Sequence, residues 1–254
     1  MFFSENALQQ LEEERQLVSA KCDELWISYL RRSFIEPRAK EHAQQGFLRR
    51  LKTLVRCIEN TFEILPPDRV ELPSIEERAD VIINLQAFIF NVFGGVDNLA
   101  WIWVYEKDVT KEDGSPIPSG WVGLREKNTL VRKSFSPEFR AHLDGFDEWL
   151  SYLENFRHAV AHRIPLYVPP YVVTDDKRVA YQDLENRKTD ALDRNDFESY
   201  DRFSVEQEEL AVFSPVMTHS FEEGARTVVF HSQMLADFHT IEDLGWKLLE
   251  ELDR

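Results

Sequence analysis

From Ser74 to Tyr105 the chain runs without a proline through SIEERADVIINLQAFIFNVFGGVDNLAWIWVY, and most of these residues are apolar. Ser74, followed three residues later by Glu77, forms a capping-box start in which each side chain satisfies a backbone donor beside the other. The spacing predicts one helix from that start to about Tyr105, the longest element of the chain at roughly 45 Å. Ile82, Ile83, Leu85, Phe88, Ile89, Val92, Phe93, Val96, Leu99, Trp101, Ile102 and Trp103 cover most of its circumference, so other elements have to bury it. One stripe breaks this cover: Glu77, Asp80, Asn84, Ala87, Asn91, Gly94 and Asn98 recur every three or four residues and are polar or small. Two accounts fit the stripe. It is a solvent-facing seam, or a face opposed by a second copy of the chain or a polar groove, since small residues permit close approach and buried amides need partners.

The elements available to surround this spine are also helical. Leu8, Leu11, Val18, Cys22, Leu25, Trp26 and Tyr29 lie at helical spacing within residues 5–35, and Glu36-Pro37 interrupts the pattern. A second pattern runs through Phe47, Leu51, Leu54, Val55, Ile58 and Phe62 until Pro66-Pro67, which makes an antiparallel pair. Ser136-Pro137 starts a fourth helix, with its apolar stripe at Phe139, Leu143, Phe146, Leu150, Leu153, Val160 and Ile164. A last helix occupies 227–252. Residues 106–135 read as a long loop around Gly114-Ser-Pro-Ile-Pro-Ser-Gly120. Beyond Pro165, LYVPPYVV and LAVFSPVMTH are expected to pair as edge strands, because their prolines bar them from a sheet interior. Between them lies a charged stretch, 174–209, with room for short helices but few core residues. The expected fold class is all-α: an antiparallel bundle of four to five long helices, with a small β-hairpin-containing insertion before the last helix. It is read as a single domain over 1–254, with a loop insertion at 106–135 and a strand-rich, charged insertion at 165–224.

A net charge of −16 argues against a broad basic face for nucleic acid, so any such contact has to be local. The local patches are Arg31-Arg32, Arg49-Arg50 with Lys52, and Arg125, Lys127, Arg132 and Lys133. No uninterrupted apolar run reaches the roughly 18 residues that cross a bilayer, and the start MFFSENALQQLEEE turns acidic too early for a signal peptide. A cytoplasmic protein that does not engage the membrane is therefore expected. Cys22 and Cys57 have no metal-like spacing and are expected to be reduced, buried thiols.

The chemistry concentrates in FRHAVAHRIPLYVPP, residues 156–170. Arg157 takes a slot that the stripe of the fourth helix leads one to expect to be apolar. A guanidinium keeps its proton, so it snorkels to the rim, pairs with an internal carboxylate such as Glu154, or holds a bound anion. His158 and His162 are four apart, on one face, with Glu154 one turn before them. Arg157 lies about 140° from His162 around an ideal helix, so a composite cleft would draw them from a relaxed last turn before Pro165 or from two chains about a two-fold axis. Histidines at i and i+4 have metal-ligand spacing, but the glutamate of HExxH is missing and Arg157 and Arg163 are cationic neighbours, so no metal is expected. Serine-hydrolase, P-loop and dinucleotide signatures are absent, and no cofactor is expected.

At Arg157-His158-Ala-Val-Ala-His162 the chain resembles the HEPN superfamily, helical bundles marked by an arginine, a polar residue, three variable residues and a histidine. The continuation His162-Arg163-Ile-Pro-Leu-Tyr-Val-Pro-Pro170 and the helix ending VDNLAWIWVYE, Val96–Glu106, resemble a bacterial branch of it. The resemblance implies a metal-independent endoribonuclease, usually a homodimer with its motifs near the interface. It implies that Arg157 holds the scissile phosphate and that His162 moves protons while the ribose 2′-hydroxyl attacks. His158 would orient these groups, with Glu154 in support, and antiparallel packing would bring Asp97 and Asn98 up to brace the arginine. RNA is the implied substrate, and an antitoxin or other protein is a possible partner in stress response, toxin–antitoxin or phage-defence settings. The alternative is a non-catalytic HEPN module that binds nucleotides or proteins.

Overall fold

The computed structural model describes residues 2–220, 222 and 225–254. Helix α1 (Glu5–Arg31) is followed by α2 (Pro37–Glu41), a π-helical turn (His42–Phe47) and α3 (Leu48–Ile64), three segments that run on without a break. The spine is α4 (Ile75–Glu106), and the Ser74/Glu77 capping box is present at its start. Its length and hydropathy alone would suit a bilayer, yet α3, α7 and α10 pack on it and make it the centre of the bundle. Next come α5 (Thr129–Ser134), α6 (Pro137–Asp144), α7 (Asp147–His162), α8 (Arg178–Asp193), α9 (Phe197–Glu209) and the closing α10 (Phe230–Leu252). Strands β1 (Val216–Met217) and β2 (Val228–Val229) form a short antiparallel pair just before α10. The fold class is thus all-α with a small hairpin before the last helix.

The predicted fourth helix is broken in two. The N–H groups of Gly145 and Phe146 bond three residues back, to His142 and Leu143, and Phe146 leaves helical geometry with φ −109° and ψ 5°. Tightened bonds of this kind end a helix, and the apolar period continues across the break because α6 and α7 bury the same side. Helix α7 stops at His162, so Ile164 leaves the stripe and is 50% exposed. The 165–224 insertion is mostly helical, and its helices fill the charged stretch between the two extended segments. LYVPPYVV and LAVFSPVMTH meet only through isolated bridges, Tyr167 with Thr218 and Val172 with Val212, and α8 and α9 fill the span between as a helical hairpin. Few residues of that hairpin are buried, Leu184, Ala191, Phe203 and Gln207 among them. The end of the insertion at Phe221, Glu223 and Gly224 lies outside the described residues.

The core holds Cys22 and Cys57, whose thiols burial pushes up to about 11. It also seals in two titratable groups. His231 donates from Nε2 to the Leu65 carbonyl at 2.6 Å, and burial pushes it down to about 4 although that bond opposes the shift. Asp237 on α10 accepts at 2.7 Å from Trp149 Nε1 of α7 and at 2.7 Å from Gln233 Nε2. The Trp149 bond fastens α7 to α10, while the Gln233 bond lies within α10.

Candidate functional site: a cationic cleft between α4 and α7

Helix α7 presents the motif on two different faces. Arg157 is half-buried and turned towards α4, with its guanidinium carbon 5.3 Å from the centre of the Phe93 ring. Among the described residues no carboxylate lies within ion-pairing distance of it. Electrostatic attraction to an aromatic face holds a guanidinium without neutralising it. Glu154, His158 and His162 form the other face: His158 Nε2 is 3.7 Å from Glu154 Oε1, and the two imidazoles are 6.1 Å apart. Both histidines are exposed. No hydrogen bond joins Arg157 to His162 among the described residues, as their angular separation on the helix requires.

The long 106–135 segment supplies the rest of the cleft. Arg125 also lies 5.3 Å from the Phe93 ring, and its Nη1 donates to Glu154 Oε1; Lys127 Nζ donates to the same oxygen at 2.6 Å. Glu154 therefore anchors the loop to α7 and does not pair with Arg157. Burial works against ionisation of Glu154, but the Lys127 hydrogen bond and the charges of Arg125, Lys127 and His158 hold its pKa below the usual carboxylate range. Asp97, one turn along α4 from Phe93, is half-buried, and burial pushes its carboxyl up while Arg125, Arg157 and Arg50 pull it down.

Asn98 braces a different arginine from the one expected. Its Oδ1 accepts from Arg50 Nε at 3.0 Å, and Asn91 Oδ1 accepts from Arg50 Nη1 at 3.1 Å. The guanidinium lies over Gly94, where an added Cβ would come within 2.4 Å of Arg50 Cζ. The small, polar stripe of α4 is thus solvent-facing only in part, at exposed Asp80, and from Asn84 to Asn98 it meets a neighbouring helix of the same chain. It is a polar seam opposed by α3, closed further along by the bond from Asn60 to Asn84.

The sequence patches separate under this geometry. Arg32 pairs with Asp253, Lys52 with Asp23, and buried Arg132 with Asp144 and Asp147, so these cations hold the fold. Arg50, Arg125 and Lys127 instead converge with Arg157. Asp97 feels Arg50, Arg125 and Arg157, and Glu154 feels Arg125 and Lys127, a local excess of basic side chains on a chain of net charge −16. Sequence reading named Arg50, Arg125 and Lys127 only as members of scattered patches and gave Phe93 no role; the glycine at position 94 was the available signal for Arg50. Among the described residues no group of three His, Cys, Asp or Glu is arranged to hold a metal. Fold and site together define an all-α bundle with a local cluster of cations where α4, α7 and the 106–135 segment meet. Comparison of the chain with protein-family models, curated proteins and solved structures finds no match.

Proposed function

We propose that this chain is a HEPN-type, metal-independent endoribonuclease, cytoplasmic and homodimeric, acting in stress response, toxin–antitoxin control or phage defence. The observation that carries the reading is the Arg157 guanidinium: half-buried, lying over Phe93 beside Arg125, without an ion pair among the described residues, and acting with Arg125 and Arg50 on Asp97. Such a cluster matches the charge of a phosphodiester and of its more highly charged transition state. In the reaction, the 2′-oxygen bonds to the adjacent phosphorus as the bond to the 5′-oxygen breaks, which leaves a 2′,3′-cyclic phosphate and a 5′-hydroxyl. His162 accepts the 2′-proton or donates one to the leaving oxygen. A two-fold partner would supply a second His162, so that one imidazole serves as base and the other as acid, and would bring the exposed histidine face of one copy to the arginine cleft of the other.

Incubation with total RNA and tRNA in EDTA tests the proposal. The wild-type chain should yield 2′,3′-cyclic phosphate ends, and Arg157→Ala and His162→Ala should each lose about a hundredfold or more in rate. Cleavage retained in both variants would remove the assignment. The distance between Arg157 and His162 on one helix favours a second reading, a non-catalytic module that binds RNA, nucleotides or a protein at the same cleft. That reading predicts binding lost in Arg157→Ala with no cleavage by any form.

A further inference from the structure

Arg50 links the cationic cleft to a second cluster for which the cleavage chemistry has no use. Beyond Asn98, whose Nδ2 is 3.2 Å from His42 Nδ1, three rings cluster, with His42 also 5.5 Å from Tyr105. His42 stacks on Trp101 at 5.7 Å and 26°, Trp101 stacks on Tyr105 at 5.1 Å and 23°, and the Arg38 guanidinium lies 5.5 Å over Tyr105. Burial lowers the pKa of His42 although Glu41 opposes it, so the ring is a neutral stacking partner at pH 7. Trp101 and Tyr105 are half-exposed and line an open cleft of about 310 Å³ with Arg38, Pro116 and two carboxylates at its edge, Glu36 and Asp108. The positions from Phe93 to Tyr105 span about 18 Å of α4, cationic at one end and aromatic at the other.

The bonding of Arg50 gives the track its meaning. Both of its hydrogen-bond acceptors among the described residues are carboxamides, which fix the direction of the guanidinium without forming an ion pair. Two glycines make room for the arrangement: Gly94 lies under Arg50, and Gly46 meets Asn98 so closely that a Cβ would come within 2.5 Å of Nδ2. An oriented cation that forms no ion pair, beside stacked rings, suits a strand whose phosphates and bases are both accessible, which a duplex does not offer. We infer that this face binds single-stranded RNA, with a phosphate on Arg50 and bases stacked on Trp101 and Tyr105. The inference rests on the ribonuclease reading for the position of the cut. Its test does not require cleavage.

The probe is a fluorescein-labelled 2′-fluoro RNA 12-mer of mixed sequence, which lacks the attacking hydroxyl, compared with its duplex by anisotropy. The single strand should bind more tightly than the duplex. Trp101→Leu should weaken it about tenfold, and Arg50→Gln should weaken it and flatten the slope of log affinity against log salt by about 0.7. In the wild-type chain, 5-iodouridine placed in the probe should crosslink to the peptide bearing Trp101 and Tyr105. Equal duplex binding, unchanged affinity in a folded Trp101→Leu, or crosslinks that map only elsewhere would overturn the inference. Should Trp101→Leu unfold, Tyr105→Leu and the wild-type crosslinks decide. Cleavage that depends on Arg157 and His162, with affinity indifferent to Trp101, sinks the track alone; ring-dependent binding with cleavage retained in both motif variants sinks the ribonuclease reading alone.

Discussion

Asp237→Asn should stabilise the chain on the alkaline side of neutrality, by an amount that follows from the surroundings of the carboxyl. Asp237 is fully buried, and burial pushes it from its ordinary 3.8 up to about 7, against the pull of the Trp149 and Gln233 hydrogen bonds. Its Oδ2 and the nearby Tyr152 hydroxyl are both buried without a partner among the described residues. Because the folded pKa lies above the unfolded one, the folded state keeps the proton through the window between them. The contribution to stability is therefore full below about pH 3.8 and falls as pH rises to about 7. At 1.36 kcal/mol per pH unit the loss over that span is about 4 kcal/mol. Asparagine keeps an acceptor towards Trp149 and Gln233 and carries no charge, so the variant escapes the loss. Urea unfolding of both forms from pH 4.5 to 8.5 isolates the effect, since every other group titrates alike in the two. The difference in favour of the variant should grow with pH by about 3 kcal/mol and then level off, or roughly 6–12 °C in melting temperature for a chain of this size. A difference that stays flat, or that grows towards acid, would refute the reasoning.

His231→Gln should act with the opposite sign: burial holds the folded histidine near pH 4, so wild-type stability is lost as pH falls from about 6.5 towards 4, and the variant should not show this loss in the same unfolding series. Because this window overlaps that of Asp237, the wild-type curve should be flatter than either variant's. Gly94→Ala forces the Arg50 guanidinium off its amides while gaining roughly 1 kcal/mol in helix propensity, so melting should shift by only a few degrees while affinity for the single-stranded probe falls severalfold. Unchanged affinity in that variant would mean that Arg50 does not contact the strand.

The spine was legible because its signals are local: Ser74 and Glu77 are three residues apart, and the apolar cover repeats within a single turn. The stripe at Asn91, Gly94 and Asn98 was equally visible as a pattern, but its partner Arg50 is 41 and 48 residues away, and no period in the sequence announces that pairing. Arg132 illustrates the same limit. It read as a surface cation beside Lys133, whereas the turn around Ser134–Ser136 brings Asp144 and Asp147 back onto it and buries it in the core. The break at Gly145 escaped notice for another reason. Two i→i+3 bonds redirect the backbone without disturbing the apolar spacing on which the helix was read. In the site, the face shared by Glu154, His158 and His162 followed directly from spacing, while the approach of Arg125 and Lys127 to Glu154 depended on how a thirty-residue loop lies down.

The π-helical turn at His42–Phe47, where the Leu48 N–H reaches five residues back to Ala43, has an evolutionary corollary. Such a turn holds one residue more than a regular helix needs. Loss of a single codon there would restore an ordinary helix, leave the buried leucines of α3 in register, and swing His42 about 100° away from Asn98 and Trp101. In a lineage of such bundles, a one-residue gap at this turn would be the signature of a chain that kept its shape and lost the contact of His42 with Asn98 and Trp101.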